Sequence, residues 1–223
     1  MTFVKICGIT NLDDALCAVD AGADLLGFIF YPPSPRGTTV DAARMIVHAL
    51  RHTTLIATKR CVTLVGVFVK ETPADIQHVL GDVGLDAAQL HGNDPADARA
   101  MQGRGYLATK TWPVTSALGV MTPTLGPDHL ETIDAAIPSL MLDANHPTLW
   151  GGSGQRADES LAAQVARAHR LLLAGGLTPD NVADAVRAVR PWGVDVASGT
   201  EASPGKKDHA LVRAFVQNAK SAV

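Results

Sequence analysis

The chain has 223 residues, of which 47% are hydrophobic, enough to build the core of one large domain. Its 19 basic and 22 acidic residues give a formal net charge of −3, which argues against a nucleic-acid-binding protein, because these usually carry a basic balance. Three cysteines without a C-x-x-C pair, no signal segment at the start and no bilayer-length apolar run predict a cytoplasmic protein without a membrane span.

Eight times along the chain, a short apolar run is followed by a polar turn and then by an amphipathic segment. The apolar runs predict strands at Phe3–Cys7, Leu25–Phe30, Val62–Val69, Ala87–Leu90, Tyr106–Trp112, Leu140–Asp143, Leu171–Ala174 and Val194–Ala197. The amphipathic segments predict helices that start after Thr10 or Asn11, Thr72–Pro73, Asp94–Pro95 and Thr178–Pro179, and helices over Asp41–Leu50, Asp128–Ile137, Leu161–Ala168 and Asp208–Ala219.

The order of these elements predicts the fold class. Strands that alternate with helices favour a parallel sheet with right-handed crossovers. Eight such units most naturally close into an α/β fold of the (β/α)₈ TIM-barrel type, with a doubly wound open sheet as the alternative. No linker or low-complexity stretch divides the chain, so residues 1–223 are expected to form a single domain. We expect Met45 on the buried face of the second helix and Arg51–Cys61 in a peripheral loop.

Two glycine motifs lack the context that nucleotide binding requires. Gly103–Ala108 matches G-x-G-x-x-A, but it ends a helix and enters a strand, whereas the dinucleotide fingerprint follows a strand. Gly151–Gly154 has no P-loop lysine, and Gln155 interrupts a G-x-S-x-G match. His91 and His146 have no partner at metal-ligand spacing, so no metal site is predicted.

A barrel takes its active groups from the carboxyl ends of its strands and the loops that follow. The residues with polar or glycine chemistry at these positions are Cys7, Arg36, His91, Asp143, Gly175, Gly176, Ser198 and Gly199. Glycines after strands seven and eight suit a phosphate site, because backbone N–H groups can approach the oxygens without a Cβ in the way. Ordinary turn glycines are the alternative explanation for both loops.

Cys7 and Asp143 are a possible base and acid at two strand ends. A thiol has a pKa of about 8.5 and becomes a usable base when a positive neighbour lowers that value. Lys5 points to the same side of the first strand as Cys7 and could supply the charge. A buried hydrophobic role for Cys7 and a capping role for Asp143 remain open at this point. Arg36 could clamp a carboxylate or phosphate, or it could be a solvated surface residue.

Several blocks together closely resemble the phosphoribosylanthranilate isomerase family of tryptophan biosynthesis. They cover nearly the whole chain and read "VKICGIT" at Val4–Thr10, "GADLLGFIFYPPSPR" at Gly22–Arg36, "VGVFV" at Val65–Val69, "QLHG" at Gln89–Gly92, "MLDA" and "GGSG" within Met141–Gly154, "AGGLTPDNV" at Ala174–Val182 and "GVDVASGTEASPGKKD" at Gly193–Asp208. The first and last blocks are the most specific.

The resemblance implies a barrel enzyme without a cofactor. Its reaction is the Amadori rearrangement of N-(5-phosphoribosyl)anthranilate to 1-(2-carboxyphenylamino)-1-deoxyribulose 5-phosphate. Cys7 resembles the family's general base, Asp143 its general acid and Arg36 the residue that holds the anthranilate carboxylate. The resemblance also implies phosphate loops at Gly175–Gly176 and Ser198–Gly199. Asp195 resembles a residue that helps to orient the substrate, and His91 completes the expected binding set. Asp195 could instead be a barrel-interior partner for Lys5.

The chain departs from the family pattern after "GGSG". Gln155–Glu159 lacks the aromatic residues often found there, which leaves open how this stretch covers the site. The partner is expected to be a small phosphorylated substrate, and the protein a monomer or homodimer. The alternatives are a related sugar-phosphate isomerase that uses two carboxylates, and an inactive barrel that only binds a phosphorylated ligand. Cys7 argues against the first, and the retention of both Cys7 and Asp143 argues against the second.

Overall fold

The computed structural model of the chain describes residues 1–57, 62–92, 105–109, 138–143 and 156–222. Eight parallel strands close into a barrel in which neighbours follow chain order and the last strand pairs with the first. They are β1 (Phe3–Cys7), β2 (Leu25–Ile29), β3 (Thr63–Val69), β4 (Ala87–His91), β5 (Gly105–Thr109), β6 (Leu140–Asp143), β7 (Leu171–Ala174) and β8 (Gly193–Val196). The predicted (β/α)₈ barrel is confirmed, and the open sheet is wrong, because a closed sheet has no edge strands.

Side chains along β1 alternate between two apolar layers. Val4 and Ile6 are fully buried in the core between the strands and the helices, whereas Phe3 packs on the cluster inside the barrel. Lys5 and Cys7 lie on the same side of the strand as Phe3. In the described part of the chain, the cluster inside the barrel consists of the buried apolar residues Leu25, Val65, Ala87, Met141, Leu172 and Ala174.

Six helices in the described part of the chain surround the strands. They are α1 (Leu12–Ala21), α2 (Val40–Ala57), α3 (Pro73–Val83), α4 (Arg156–Ala168), α5 (Val182–Val189) and α6 (His209–Ser221). The predicted caps Asn11 and Thr72 both form, since their side-chain oxygens accept the N–H of Asp14 and Asp75. No helix among these residues is long and apolar enough to cross a membrane. The helices predicted after Asp94–Pro95 and over Asp128–Ile137 lie outside the described residues.

The same hydrogen-bonding arrangement occurs just before β2 and just before β4. An aspartate two residues after the glycine that ends the preceding helix exchanges two hydrogen bonds with the neighbouring strand. Asp24 Oδ2 accepts the Val4 N–H at 2.9 Å, and the Asp24 N–H donates to the Val4 carbonyl at 2.8 Å. Asp86 makes the same pair of bonds with Leu64. These bonds set the starting points of two strands and thereby the level at which they end.

Helix α2 differs from its prediction at both its face and its end. Met45 is 69% exposed, because the buried positions of α2 are Ala43, Ile46, Val47 and Leu50. The helix also runs on to Ala57, so the first seven residues of the expected loop Arg51–Cys61 are helical. Arg51 explains part of this extension, since its Nη2 donates to Asp86 Oδ1 at 3.0 Å.

Two helix starts also differ from the sequence prediction. Helix α4 begins at Arg156, so most of the stretch Gln155–Glu159 is the first turn of a helix rather than a loop. Helix α5 begins at Val182, and Thr178 does not cap it. Instead, the Thr178 N–H donates to Asn181 Oδ1 at 2.8 Å, which makes residues 178–181 a separate turn before the helix.

Candidate active site

The predicted site residues gather at one rim of the barrel. Cys7 is the last residue of β1, His91 the last of β4 and Asp143 the last of β6. The glycine loops follow β7 and β8 directly. Because all eight strands are parallel, their carboxyl ends surround a single mouth, as in other barrels of this type.

The Cys7 thiol is buried inside this mouth, with 5% of the residue exposed. Its neighbour across the β1–β2 pair is Gly27. A Cβ at Gly27 would lie 2.7 Å from Cys7 Sγ and 3.2 Å from Lys5 Cε. The glycine therefore leaves the space in which the thiol and the lysine side chain lie.

Lys5 and Asp195 form a buried ion pair beside Cys7. Lys5 Nζ donates to Asp195 Oδ1 at 2.9 Å, and the two side chains are 0% and 6% exposed. The two residues are register partners on β1 and β8. The interior pairing of Asp195 with Lys5, raised as an alternative from the sequence, is thus present in the structure.

The surroundings of Cys7 act on its pKa in opposite directions. Burial raises the pKa of the thiol and outweighs the lowering by Lys5. Asp195 adds to the increase, because its negative charge opposes a second anion nearby. The positive charge that Lys5 could supply to Cys7 is thus present, but burial outweighs its effect on the pKa of the thiol.

Gly8, which directly follows Cys7, and Arg36 lie next to each other on the rim. Gly8 has a φ of 77°, a left-handed conformation in which a residue with a side chain would be strained. A Cβ there would lie 3.2 Å from Arg36 Cδ and 3.3 Å from Arg36 Cβ. The chain can thus turn sharply after the thiol, and the arginine side chain fills the space beside the turn.

The Arg36 guanidinium binds a protein carboxylate. Its Nε donates to both oxygens of Glu201, at 2.9 and 3.0 Å, and its Nη2 donates to Oε2 at 2.8 Å. Burial raises the pKa of Glu201, but Arg36, Lys207 and the Gly205 N–H together lower it below the ordinary glutamate value. Glu201 is therefore a buried anion that holds the Arg36 side chain in one orientation.

A short hairpin brings Glu201 and a further lysine to the mouth. It consists of β9 (Glu201–Ser203) and β10 (Lys206–Lys207), which pair antiparallel. The Lys207 N–H donates to Asp14 Oδ2 at 2.9 Å, and His209 Nε2 lies 2.9 Å from Asp14 Oδ1. Asp14, which is 3% exposed, thus ties the hairpin and the start of α6 to α1.

The two glycine loops contact each other directly. Gly175 and Gly176 have φ values of 94° and 64°, and Asn181 Nδ2 donates to the Gly176 carbonyl at 3.0 Å. A Cβ at Gly199 would lie only 1.9 Å from the Leu177 carbonyl oxygen, so only glycine allows this approach. Ser198, which begins a 3₁₀ turn over Ser198–Thr200, is exposed beside them. The loops after β7 and β8 therefore form one continuous backbone surface.

Two predicted residues stand apart from this cluster. His91 hydrogen-bonds Gln89 through Nε2 atoms 2.7 Å apart, and its strand β4 lies three strands from β1 around the barrel. Asp143 is in register with Ala174 on β7, at the carboxyl end of β6. The structure thus places Cys7, Lys5, Asp195, Arg36 and Glu201 together, with His91 across the mouth.

Sequence reasoning missed three residues of this site. No role was assigned to Lys207, Glu201 or Gly27 from the sequence. The signal for the first two was the Pro-Gly turn at Pro204–Gly205, which predicts a hairpin that returns the chain to the β8 loop. Nothing in the sequence marks Gly27 among the glycines of the chain.

In comparisons with known proteins, one enzyme family matches nearly the whole chain. A family model described as N-(5'phosphoribosyl)anthranilate (PRA) isomerase matches residues 4–218. The N-(5'-phosphoribosyl)anthranilate isomerase of Roseiflexus castenholzii is 44% identical over 223 residues, which cover 98% of each chain.

Solved structures give the same result. Phosphoribosyl anthranilate isomerase from Thermotoga maritima has a TM-score of 0.79 and 40% identity, with 99% of this chain and 100% of that chain covered. A structure of such an isomerase with reduced 1-(o-carboxyphenylamino)-1-deoxyribulose 5-phosphate has a TM-score of 0.77 and 37% identity, with 99% and 100% covered. Since these matches span nearly the whole chain, it belongs to the N-(5'-phosphoribosyl)anthranilate isomerase family of enzymes.

Proposed function

We propose that this chain catalyses the Amadori rearrangement of N-(5'-phosphoribosyl)anthranilate in tryptophan biosynthesis, with Cys7 as general base and Asp143 as general acid. The observation that carries the proposal is the placement of Cys7, a buried thiol at the carboxyl end of β1 beside two oppositely charged side chains. The proposal includes a single domain over residues 1–223, a cytoplasmic location and a small phosphorylated substrate.

The first step needs an acid. An aldosylamine opens when its ring oxygen is protonated and leaves C1′ as an iminium carbon. Asp143 ends β6, and a carboxylic acid at the end of a buried apolar strand is suited to keep its proton until the ring oxygen takes it. The ring oxygen becomes the C4′ hydroxyl, and the carboxyl group is left as a carboxylate.

The second step needs a base at the opposite side of the mouth. The iminium withdraws electrons from C2′ and makes its hydrogen acidic. The Cys7 thiolate accepts that proton, the C2′–H electron pair forms the C1′=C2′ bond, and the iminium becomes an enolamine. The enolamine then tautomerises to the ketone: the C2′ hydroxyl loses its proton to solvent, the C2′=O bond forms, and C1′ takes up a proton. Burial raises the pKa of the thiol, so the thiolate must be favoured by positive charge, including that of the iminium itself.

Arg36 and the glycine loops bind the two ends of the substrate. The Nε edge of Arg36 is occupied by Glu201, so we assign its Nη1 edge to the anthranilate carboxylate, since a guanidinium can donate along two edges. Gly175–Gly176 and Ser198–Gly199 offer backbone N–H groups to the phosphate. We assign His91 and Asp195 to the sugar between these ends. Asp195 would contact the sugar while it remains paired with Lys5.

The test is turnover by the purified chain. The substrate is labile, so it is generated in place from anthranilate and phosphoribosyl pyrophosphate with a phosphoribosyltransferase, and loss of its fluorescence is followed. Addition of this chain should accelerate the loss in proportion to its concentration, whereas heat-denatured chain should not. Absence of any acceleration by folded protein would overturn the proposed function.

A further inference from the structure

Lys207 is a buried cation at the mouth for which the proposed chemistry has no role. Its side chain is 0% exposed. Its Nζ donates to the Ala197 carbonyl at 2.9 Å and lies 3.4 Å from Glu201 Oε1. A lysine is seldom buried this completely, because removing an ammonium group from water is costly.

The strand register shows where this ammonium group lies. Lys5 pairs with Asp195, and Ile6 pairs with Val196, between β1 and β8. The next position on each strand is Cys7 on one side and Ala197 on the other. Because Lys207 Nζ is bound to the Ala197 carbonyl, the hairpin delivers the ammonium group to the level of the thiol.

Among the described charged groups around Cys7, the cations outnumber the anions. The cations are Lys5, Arg36 and Lys207, and the anions are Asp195 and Glu201. Lys5 is paired with Asp195 at 2.9 Å, and Arg36 takes both oxygens of Glu201 at 2.8–3.0 Å. Lys207 has only the longer 3.4 Å contact with Glu201. Among these described groups, Lys207 is the cation whose contact with a carboxylate is long, and a Cys7 thiolate would bring a second negative charge close to it.

We propose that Lys207 is a positioning residue whose ammonium group stabilises the thiolate form of Cys7, and that Ala197 and Glu201 hold it in place. The inference rests on the proposed role of Cys7 as the base. When the C2′–H bond breaks and the S–H bond forms, Lys207 remains an ammonium and exchanges no proton with the substrate. Lys5, which donates to Asp195, favours the thiolate as well, and Lys207 adds to its effect.

The titration behaviour of the two groups agrees with this arrangement. Burial lowers the pKa of Lys207, while Glu201, Cys7 and Asp195 raise it. Burial raises the pKa of Cys7, and Lys5 and Lys207 lower it. Lys207 and Cys7 thus favour each other's charged form, as expected for an ammonium–thiolate pair.

The test compares Lys207→Met with Lys206→Met, its exposed neighbour in the same strand. The rate of Cys7 alkylation by iodoacetamide is measured against pH, with peptide mass spectrometry to separate Cys7 from the other cysteines. Because a nearby cation is lost, the pH midpoint of the alkylation rate should rise by about one pH unit or more in Lys207→Met. At pH values below the midpoint, alkylation of this variant should be about tenfold slower. In the fluorescence assay, kcat should fall in similar proportion with little change in KM.

Each outcome decides for or against the role of Lys207. An unchanged midpoint for Lys207→Met, or an equal shift for Lys206→Met, overturns it. The Met variant should fold, because Glu201 keeps its Arg36 contacts. A reciprocal measurement leaves Lys207 intact: the ¹⁵N resonance of its Nζ should titrate at lower pH in Cys7→Ser than in wild type, and equal titration overturns the coupling. If Cys7→Ser keeps full turnover, Cys7 is not the base. The alkylation assay, which uses chains that keep Cys7, still tests the pairing of Lys207 with the thiolate.

Discussion

The two ends of the barrel interior are built from the same strands with opposite chemistry. At the amino ends, Phe3 and Trp192 stack with ring centroids 4.2 Å apart. Gly193 fits closely between Phe3 and Leu172, since a Cβ there would lie 3.0–3.2 Å from both. At the carboxyl ends, the same strands carry Cys7, Asp195 and the glycine loops. The amino end of the barrel interior, here called the lower end, is filled with apolar side chains. The carboxyl end, here called the upper end, contains buried charged side chains.

The two ends of the barrel interior contribute differently to the stability of the fold. Apolar packing at the lower end stabilises the fold through burial, whereas buried ion pairs contribute little net stability. Stability alone therefore does not explain why Lys5, Asp195 and Lys207 are buried. Substitutions at the two ends should accordingly affect different measurements.

The largest effect is expected from the proposed acid and base. Cys7→Ser and Asp143→Asn should each lower kcat by about 10²–10⁴-fold, the typical contribution of a general acid or base, while the melting temperature changes little. Cys17→Ser is the matched control, because Cys17 is also buried but contacts the His209 carbonyl away from the mouth. A near-normal kcat in either variant would remove that residue from the proposed mechanism.

A substitution at the lower end should reverse this result. Leu172→Ala removes a fully buried side chain and should lower the free energy of unfolding by about 2–5 kcal/mol in urea titrations. The kcat of the folded fraction should stay the same. Leu211→Ala, at a position 37% exposed on α6, should change stability far less. A large loss of kcat in folded Leu172→Ala would mean that the two ends are not independent.

A smaller effect is expected where the glycine loops meet. Gly199→Ala places a methyl group against the Leu177 carbonyl and forces the loops apart. Loss of one hydrogen bond to a charged phosphate costs about 1.5–3 kcal/mol, so KM should rise at least about tenfold, with less change in kcat.

Gly81 provides the control for this substitution, because a Cβ on this α3 residue meets nothing within 4 Å. Gly81→Ala should leave both kinetic constants unchanged and stabilise the chain by about 0.5–1 kcal/mol. Steady-state kinetics on both variants separate the outcomes. An unaltered KM in Gly199→Ala would remove this loop from phosphate binding.

The smallest effect concerns pH. Because the folded pKa of Glu201 lies below its ordinary value, this carboxylate stabilises the fold above about pH 4.3, and the contribution is lost as the pH falls through the lowered value. Glu201→Gln should therefore lose less stability than wild type in acid, as measured by urea midpoints from pH 7 downwards. Asp184→Asn removes an exposed ion pair with Arg187. In this variant the slope of the urea midpoint against pH should be the same as in wild type. Equal slopes for Glu201→Gln and wild type would contradict this role of Glu201.

Local patterns in the sequence determined much of this protein. The alternation of apolar runs and amphipathic segments predicts all eight strands. Their starts and ends agree within one residue except at the end of β5, which was predicted at Trp112 and which the structure describes to Thr109. The position of Cys7 at the end of β1 follows from the same pattern, because side chains alternate and parallel strands end at a common rim. The roles of Cys7 and Asp143 came from the family resemblance and remain predictions.

Only the tertiary structure decided how the charges of the mouth are paired. Arg36 and Glu201 are 165 residues apart in sequence, and Lys5 and Asp195 are 190 apart. Sequence reasoning gave Arg36 either a substrate anion or solvent as its partner, and it left Lys5 between Cys7 and Asp195. Closure of the barrel beside β8 and the return of the hairpin give each cation a nearby carboxylate instead. Ion pairing depends on distances of a few ångströms in a low dielectric, and those distances exist only once β1 and β8 are joined.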